Sequence, residues 1–257
     1  MKKIRADILV TERGLCSSRS EAQRLILAGE VRTGPDSVVR KAGQLLAPDV
    51  ELFVMRRREY VSRGAHKLLA AIEAFQPPLE GVVALDLGAS TGGFTEVLLK
   101  HGARRVYAVD VGYGQLHYRL RRDERVICLE RTNARYLTPE LVPETIEVLT
   151  GDVSFISLTK VLPPCVPLLA PDAWVMVLVK PQFEAGREEV GKGGVVRDLA
   201  VRKRCVDTIV GFAESTLGWR GVGVVPSPIK GPKGNQEFVA VFRNGSGASE
   251  PRAIVAS

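Results

Sequence analysis

The sequence is poor in residues that announce chemistry on their own. Its 257 residues include 3 histidines, 4 cysteines and 2 tryptophans. Cys16, Cys128, Cys165 and Cys205 lie far apart and form no C-x-x-C pair. That spacing argues against a zinc site or a disulfide framework and fits a reducing cytosol; no metal is expected. The longest apolar run, Ala173–Val179, is far too short to cross a bilayer. Met1-Lys-Lys-Ile-Arg-Ala-Asp7 carries charge but no apolar core, so no signal peptide is expected. No strongly amphipathic apolar element appears, so a membrane-lytic activity has no support, and a cytoplasmic chain without a membrane partner is expected. Internal repeats and low-complexity tracts are also missing.

A hydrophobic content of 45% supplies a sizeable core, enough for one large α/β domain and a small one. The charge is uneven. Residues 1–63 hold 13 Lys and Arg against 8 Asp and Glu, a net of +5 out of the chain's +7. A polyanionic partner would explain that bias.

The small N-terminal part reads as helix over 4–13, with Ile4, Ile8 and Leu9 inward, ended at Gly14. A second helix follows Ser18-Arg-Ser-Glu21, which has capping-box spacing, with Ala22, Leu25 and Ile26 inward and Gly29 as its stop. Val31, Val38-Val39 and Leu52–Val54 read as short strands separated by Gly34-Pro35-Asp36 and Ala47-Pro48-Asp49 turns. Arg19, Arg24, Arg32, Arg40 and Lys41 fall on or beside this unit, as dispersed cations for phosphate contacts would. Ser18–Val31 resembles the S4-type RNA-binding domain, a likeness covering about residues 3–60. Met55–Tyr60 reads as a linker, and residues 245–257, rich in Gly, Ser and Ala, as a loose tail. The expected domains are thus 1–60 and 61–244.

The rest of the chain turns on Leu85-Asp-Leu-Gly-Ala-Ser-Thr-Gly-Gly-Phe-Thr95, a strand, a glycine turn and a helix. A dinucleotide fingerprint needs a second glycine where Ser90 stands, and a P-loop needs a lysine where Phe94 stands. The remaining pattern, D-x-G-x-x-x-G from Asp86 to Gly92, is that of S-adenosylmethionine-dependent methyltransferases, whose ligand carries no phosphate. Asp110, ending Val106-Tyr-Ala-Val-Asp110, is the acid expected for the adenosine hydroxyls. An ordinary tight turn stays open as the bland alternative.

Strands are expected at 82–87, 105–109, 126–129, 146–149, 174–179, 221–225 and 237–242, with helices near 92–101, 156–169 and 198–216. A further helix after Ser62-Arg-Gly-Ala-His-Lys67 carries Leu68, Leu69, Ile72 and Phe75 and ends at Pro77-Pro78. Such alternation implies an α/β, Rossmann-like, mainly parallel seven-stranded sheet with helices on both faces, and ligands beyond the strands' carboxyl ends. Asp152 and Lys180 follow such ends, Glu237 opens the last strand, and these three can converge beside the Gly88 turn, where Lys67, a cation unfavourably near a helix start, could join them. Two lysines and two acids are ingredients for a tuned general base acting on a hydroxyl. Asp152-Val-Ser-Phe155 departs from the Asp/Asn-Pro-Pro-aromatic loop of exocyclic-amine enzymes, and Cys128 and Cys165 are poorly placed for attack on a cytosine ring.

Taken in order, Ser62–Lys67, Asp86–Thr95, Gly151-Asp-Val-Ser-Phe-Ile-Ser157, Val179-Lys-Pro-Gln-Phe-Glu184 and Gly234-Asn-Gln-Glu237 resemble the TlyA family. These are FtsJ-like ribosomal RNA 2′-O-methyltransferases fused to an S4-type domain, also called haemolysin A. The likeness implies transfer from S-adenosylmethionine to a cytidine 2′-hydroxyl of bacterial ribosomal RNA, by a Lys67-Asp152-Lys180-Glu237 tetrad. Lys180 would be the base, Asp152 and Glu237 would orient it, and Lys67 would position the ribose. Asp86, Gly88, Ala89, Ser90, Gly92, Gly93, Phe94, Asp110, Asn133 and Asp152 would hold the donor. RNA contacts would come from Arg19, Arg24, Arg32, Lys41 and Arg63. Two basic loops would add Lys192 and Arg197 (loop 186–204), and Lys230 and Lys233 (loop 228–234).

Overall fold

The structure, a computed structural model, describes residues 3–34, 37–54 and 59–245. The turn centre at Pro35-Asp36, most of the expected linker (Met55–Arg58) and the tail from 246 lie outside the described residues. The chain divides into two compact units, Met1–Glu59 and Tyr60–Ser257.

The first unit holds β1 (Ile4–Arg5), α1 (Ala6–Glu12), α2 (Arg19–Leu27), β2 (Val31–Gly34), β3 (Ser37–Val38), β4 (Leu45–Leu46) and β5 (Phe53–Val54). The first helix is shorter than expected because Ile4 and Arg5 pair with Leu46 and Leu45 as strand. The buried face is therefore Ala6, Leu9 and Val10, packed on Ala22, Ile26 and Val31. Ser18 caps α2 by accepting from the Glu21 amide, while Glu21 reaches back to the Ser17 amide rather than that of Ser18. Strands β3, β2 and β5 form an antiparallel sheet.

The second unit contains α3 (Ala65–Phe75), β6 (Val83–Leu87), α4 (Gly93–Lys100), β7 (Arg105–Val109), α5 (Tyr118–Arg121), β8 (Val126–Leu129), β9 (Ile146–Gly151), α6 (Leu158–Val161), β10 (Leu169–Val179), α7 (Pro181–Glu184), α8 (Leu199–Ser215), β11 (Trp219–Pro226) and β12 (Phe238–Asn244). The strand order is β11-β12-β10-β9-β6-β7-β8. Strands β6 to β10 run parallel; β12 runs antiparallel between β10 and β11, so β11 points the same way as β6 to β10. Both faces are covered, so the strands read as near-continuous apolar runs. Leu85, Val175, Val177 and Phe242 pack towards α6 and α8, whereas Ala84, Met176, Leu178 and Val241 pack towards α3 and α4. The helix expected over 156–169 is broken into α6 and a 3-10 turn at Pro163–Leu168. Pro163, Pro164 and Pro167 cannot donate the amide bonds an α-helix needs there.

Register sets the site. Leu87 pairs with Val109 and Gly151, Gly151 with Val177, and Val179 with Phe238. Hence Gly88, Asp110, Asp152 and Lys180, each one step beyond its strand, emerge along one edge. Because β12 is antiparallel, Glu237 enters at that same edge.

Candidate active site

The turn after β6 is shaped by its backbone. Gly88 has φ +74°, and a Cβ there would lie 2.8 Å from the Asp152 carbonyl oxygen. Gly92, the cap of α4, has φ +96°, and its Cβ would collide with Leu120. Both positions demand glycine on two grounds, conformation and space. Asp86 lies beneath the turn, fully buried, accepting from Thr95 Oγ1 at 2.6 Å and Thr150 Oγ1 at 3.0 Å. Burial raises its carboxyl to about 6, against the two threonine hydroxyls, which lower it. Asp86 therefore braces β6, α4 and β9, both its oxygens accepting from threonine hydroxyls in the interior.

Two adjoining clefts share Gly88, Ser90, Asp152 and Ser154. The larger, about 480 Å³, is lined by Ser90, Asp110, Gln115, Asn133 and Asp152 together with Val109, Val111, Ala134, Val153, Ile156 and Val161. No lysine or arginine lines it. Asp110 is oriented by the amides of Ser90 (2.8 Å) and Gly112 (2.7 Å). Asn133 caps the following 3-10 turn by accepting from the Arg135 amide. The smaller cleft, about 240 Å³, is lined by Gly88, Ala89, Ser90, Gly93, Phe94, Ser62, Lys67, Asp152 and Lys180. Of the expected donor residues, Gly92 joins Asp86 in lining neither cleft; its role is to shape the turn.

Four ionic groups form a chain, of which Lys67, Asp152 and Lys180 line the smaller cleft and Glu237 is fully buried. Lys180 Nζ lies 2.6 Å from Asp152 Oδ1; Lys67 Nζ lies 3.1 Å from Asp152 Oδ2 and 2.8 Å from Glu237 Oε2. Lys67, Lys180 and Glu237 are buried, and Asp152 is partly open. Burial alone would lower the Lys67 pKa, but Asp152 and Glu237 outweigh it and the net shift is upward. Lys67 is thereby kept as ammonium. Glu237, expected to orient Lys180, instead binds Lys67 and accepts from Gln182 Nε2 at 3.1 Å. The tertiary neighbour of Lys180 besides Asp152 is Ser154, which accepts its bond at 2.8 Å.

Sequence reasoning missed Ser154, Gln182, Gln115 and Phe155, although all but Gln115 lie in motifs it singled out. Phe155 is 90% exposed, has φ +63°, and stands 5.1 Å from the Phe183 ring at the mouth of the larger cleft. It also missed Asp7, a fully buried carboxylate that binds Arg5, Arg19 and Gln23.

The expected RNA-contacting cations fall into three groups. Arg24 and Lys41 are exposed on the first unit; Arg19 is exposed but tied to Asp7 at 2.9 Å; Arg32 is half-buried on β2, which withdraws part of its side chain from any surface. Arg63 is exposed beside Gly64 of the smaller cleft. Lys192, Arg197, Lys230 and Lys233 are exposed on the two basic loops. Asn235 joins those loops, accepting from the Val196 amide at 3.0 Å and donating to the Gly194 carbonyl at 2.8 Å. Among the described residues no cluster of His, Cys, Asp and Glu could hold a metal ion, and no helix is long and apolar enough to cross a membrane.

Residues 60–244 match the FtsJ-like methyltransferase family, and residues 4–47 match the S4 domain. The 16S/23S rRNA (cytidine-2′-O)-methyltransferase TlyA of Mycobacterium tuberculosis is 49% identical over 244 residues, 94% of this chain and 90% of that protein. Hemolysin A of Brachyspira hyodysenteriae is 42% identical over 240 residues, 93% of this chain and 99% of that protein. A solved structure named for a hemolysin of Streptococcus thermophilus superposes with a TM-score of 0.71 at 40% identity, covering 95% of this chain and 90% of that one. With these matches spanning nearly its whole length, the chain belongs to the FtsJ-like methyltransferase family and carries an S4 domain at its N-terminal side.

Proposed function

We propose that the protein is a ribosomal RNA 2′-O-methyltransferase using S-adenosylmethionine, with a cytidine ribose as acceptor. The observation that carries this reading is the Lys67-Asp152-Lys180-Glu237 chain, whose two lysines and Asp152 line the same cleft as the Gly88 turn. The acceptor class rests on the S4 domain and on the ribosomal RNA activity named for the Mycobacterium relative.

The larger cleft suits the donor chemically. Its two acids and lack of cations favour a positively charged, phosphate-free ligand, and its valines and isoleucine suit an aromatic base. Asp110 would take the donor's ribose hydroxyls, and Asn133 and Gln115 of the same cleft would meet its adenine. When bound, S-adenosylmethionine supplies an electrophilic methyl on a sulfonium centre. The protein's task is to hold the 2′-hydroxyl and remove its proton as the new O–C bond forms, while the methyl–sulfur bond would break and leave the neutral thioether S-adenosylhomocysteine. Lys180 is the better base of the two lysines. Lys67 is locked as ammonium between two carboxylates, whereas Lys180 meets one carboxylate and a neutral hydroxyl. Lys180 takes the proton at Nζ, beside Asp152, which stabilises the ammonium so formed. Lys67 fixes Asp152 and offers positive charge to the developing alkoxide.

Methyl transfer from labelled S-adenosylmethionine to separated bacterial ribosomal subunits, followed by digestion and nucleoside identification, tests the reading. The expected product is 2′-O-methylcytidine. Lys180→Ala should lose about 10²–10⁴-fold in rate while binding S-adenosylhomocysteine normally. Methylation of a base, or full activity in Lys180→Ala, would overturn the assignment.

A further inference from the structure

Three of the chain's five tyrosines, Tyr113, Tyr118 and Tyr136, are 64–70% exposed, while Tyr60 and Tyr107 are buried. All three lie within residues 113–136, on the two segments that follow β7 and β8. These rings are interleaved with arginine. Residues 113–136 hold six arginines against three acids. Arg121 and Arg125 are taken up by Glu130 and Asp123. Arg119, Arg122, Arg131 and Arg135 are exposed.

The stretch is built rather than loose. The Arg131 amide donates to the Gly112 carbonyl at 3.0 Å, and the Gly114 amide to Glu130 at 2.7 Å, locking the segment after β7 to the segment after β8. The Arg131 guanidinium then lies 4.4 Å over the Tyr113 ring, and Arg135 lies 5.5 Å from the Tyr136 ring. Tyr118, first residue of α5, tilts against His117 with ring centres 4.7 Å apart. The inner sides of the same two segments line the larger cleft through Asp110, Val111, Thr132 and Asn133.

We propose that Tyr113, Tyr118 and Tyr136, with Arg119, Arg122, Arg131 and Arg135, form a docking surface for an unpaired segment of the RNA substrate. Exposed rings held by guanidinium groups offer flat faces to bases, and the arginines neutralise phosphates between them. A duplex fits poorly, because its bases already stack on one another and present no open faces. The surface lies outside the S4 domain, so it supplies a second RNA contact, one that reads strand openness. The inference rests on the RNA methyltransferase reading but is measured apart from it.

The test uses the full-length protein, a fluorescently labelled, unstructured 12-nucleotide RNA and a 12-base-pair RNA duplex. Tyr113→Ala/Tyr118→Ala/Tyr136→Ala should weaken single-strand binding by about tenfold or more, since each base–ring stack is worth roughly fivefold or better. The corresponding triple Phe variant should stay within about twofold, since it keeps the rings. S-adenosylhomocysteine binding should be unchanged in both, which shows that the fold survives. Arg131→Glu/Arg135→Glu provides a second probe and should flatten the salt dependence by about one unit for each phosphate no longer neutralised. Unaltered single-strand binding in the Ala variant, equal weakening in the Ala and Phe variants, or a preference for the duplex would each overturn the surface. Tyrosine-dependent RNA binding without methyl transfer to any ribosomal subunit would instead count against the functional reading alone.

Discussion

Asp152 shows how one residue can organise a site. Its two oxygens each hold a different lysine, so Lys67 and Lys180 are fixed relative to each other without touching. Glu237 completes the balance of two positive and two negative groups. Removing a buried partner leaves an uncompensated charge, which costs far more than the pair itself gains. Glu237→Gln should therefore slow methyl transfer by about 10- to 100-fold, with a fall of about 2 kcal/mol in unfolding free energy. Rate assays and urea denaturation would read the two effects; an unchanged rate would remove Glu237 from the catalytic assembly. Asp86 makes a different prediction. Its folded carboxyl titrates near 6, above the unfolded value. The native state thus holds the extra proton between about pH 4 and 6. Stability should fall as pH rises through that window, by about 3 kcal/mol in all. Asp86→Asn should lack this fall, and denaturation curves at pH 4 and pH 7 would show the difference.

The connection from β9 to α6 is the element on which both clefts depend. At one end the Asp152 amide donates to Leu87 and its side chain binds the lysines. At the other, Glu184 accepts from Ser157 Oγ at 2.6 Å and from the Leu158 amide at 2.9 Å. Between them Phe155 holds a left-handed backbone, which persists only where the surroundings determine it. Burial chiefly, against its two hydrogen bonds, raises the Glu184 pKa. Glu184→Gln should loosen the far anchor and raise the S-adenosylhomocysteine dissociation constant by about tenfold, the worth of one charge-assisted bond. Calorimetric titration would measure it. An unchanged constant would mean that the Asp152 end alone holds the connection. In the first unit, Ser18→Ala should cost about 1 kcal/mol through the lost cap on α2, seen as a lower melting temperature.

At the scale of the whole molecule, charge and chemistry are divided between two units with separate cores. Residues 1–59 carry +4 of the net +7. Residues 60–257 expressed alone should retain S-adenosylhomocysteine binding, because every residue lining the two clefts belongs to them. Their affinity for ribosomal RNA should fall, and log K should depend less steeply on log salt, by about 0.7–0.9 for each phosphate that the S4 domain neutralises in the full-length protein. An equal slope in both proteins would show that the S4 domain touches no phosphates.

The sequence by itself determined the sheet, its glycine turn and the strand ends at which Asp110, Asp152, Lys180 and Glu237 stand. Apolar runs buried on both faces, broken by glycine and proline, are strong local signals, and a charged residue just past each run is visible without coordinates. Tertiary structure decided the rest. Only the antiparallel register of β12 on β10 brings Glu237 to the same edge as Lys180, and only the packing of α3 turns Lys67 inward to two carboxylates. That the Asp86 side chain is held by Thr95 and Thr150 was equally beyond the sequence, since those partners come from α4 and β9. The exposure of Tyr113, Tyr118 and Tyr136 was equally hidden, since a tyrosine in sequence carries no mark of whether its ring packs in a core or stands in solvent. Which groups meet depends on residues far apart in the chain, and periodicity along a segment holds no information about them.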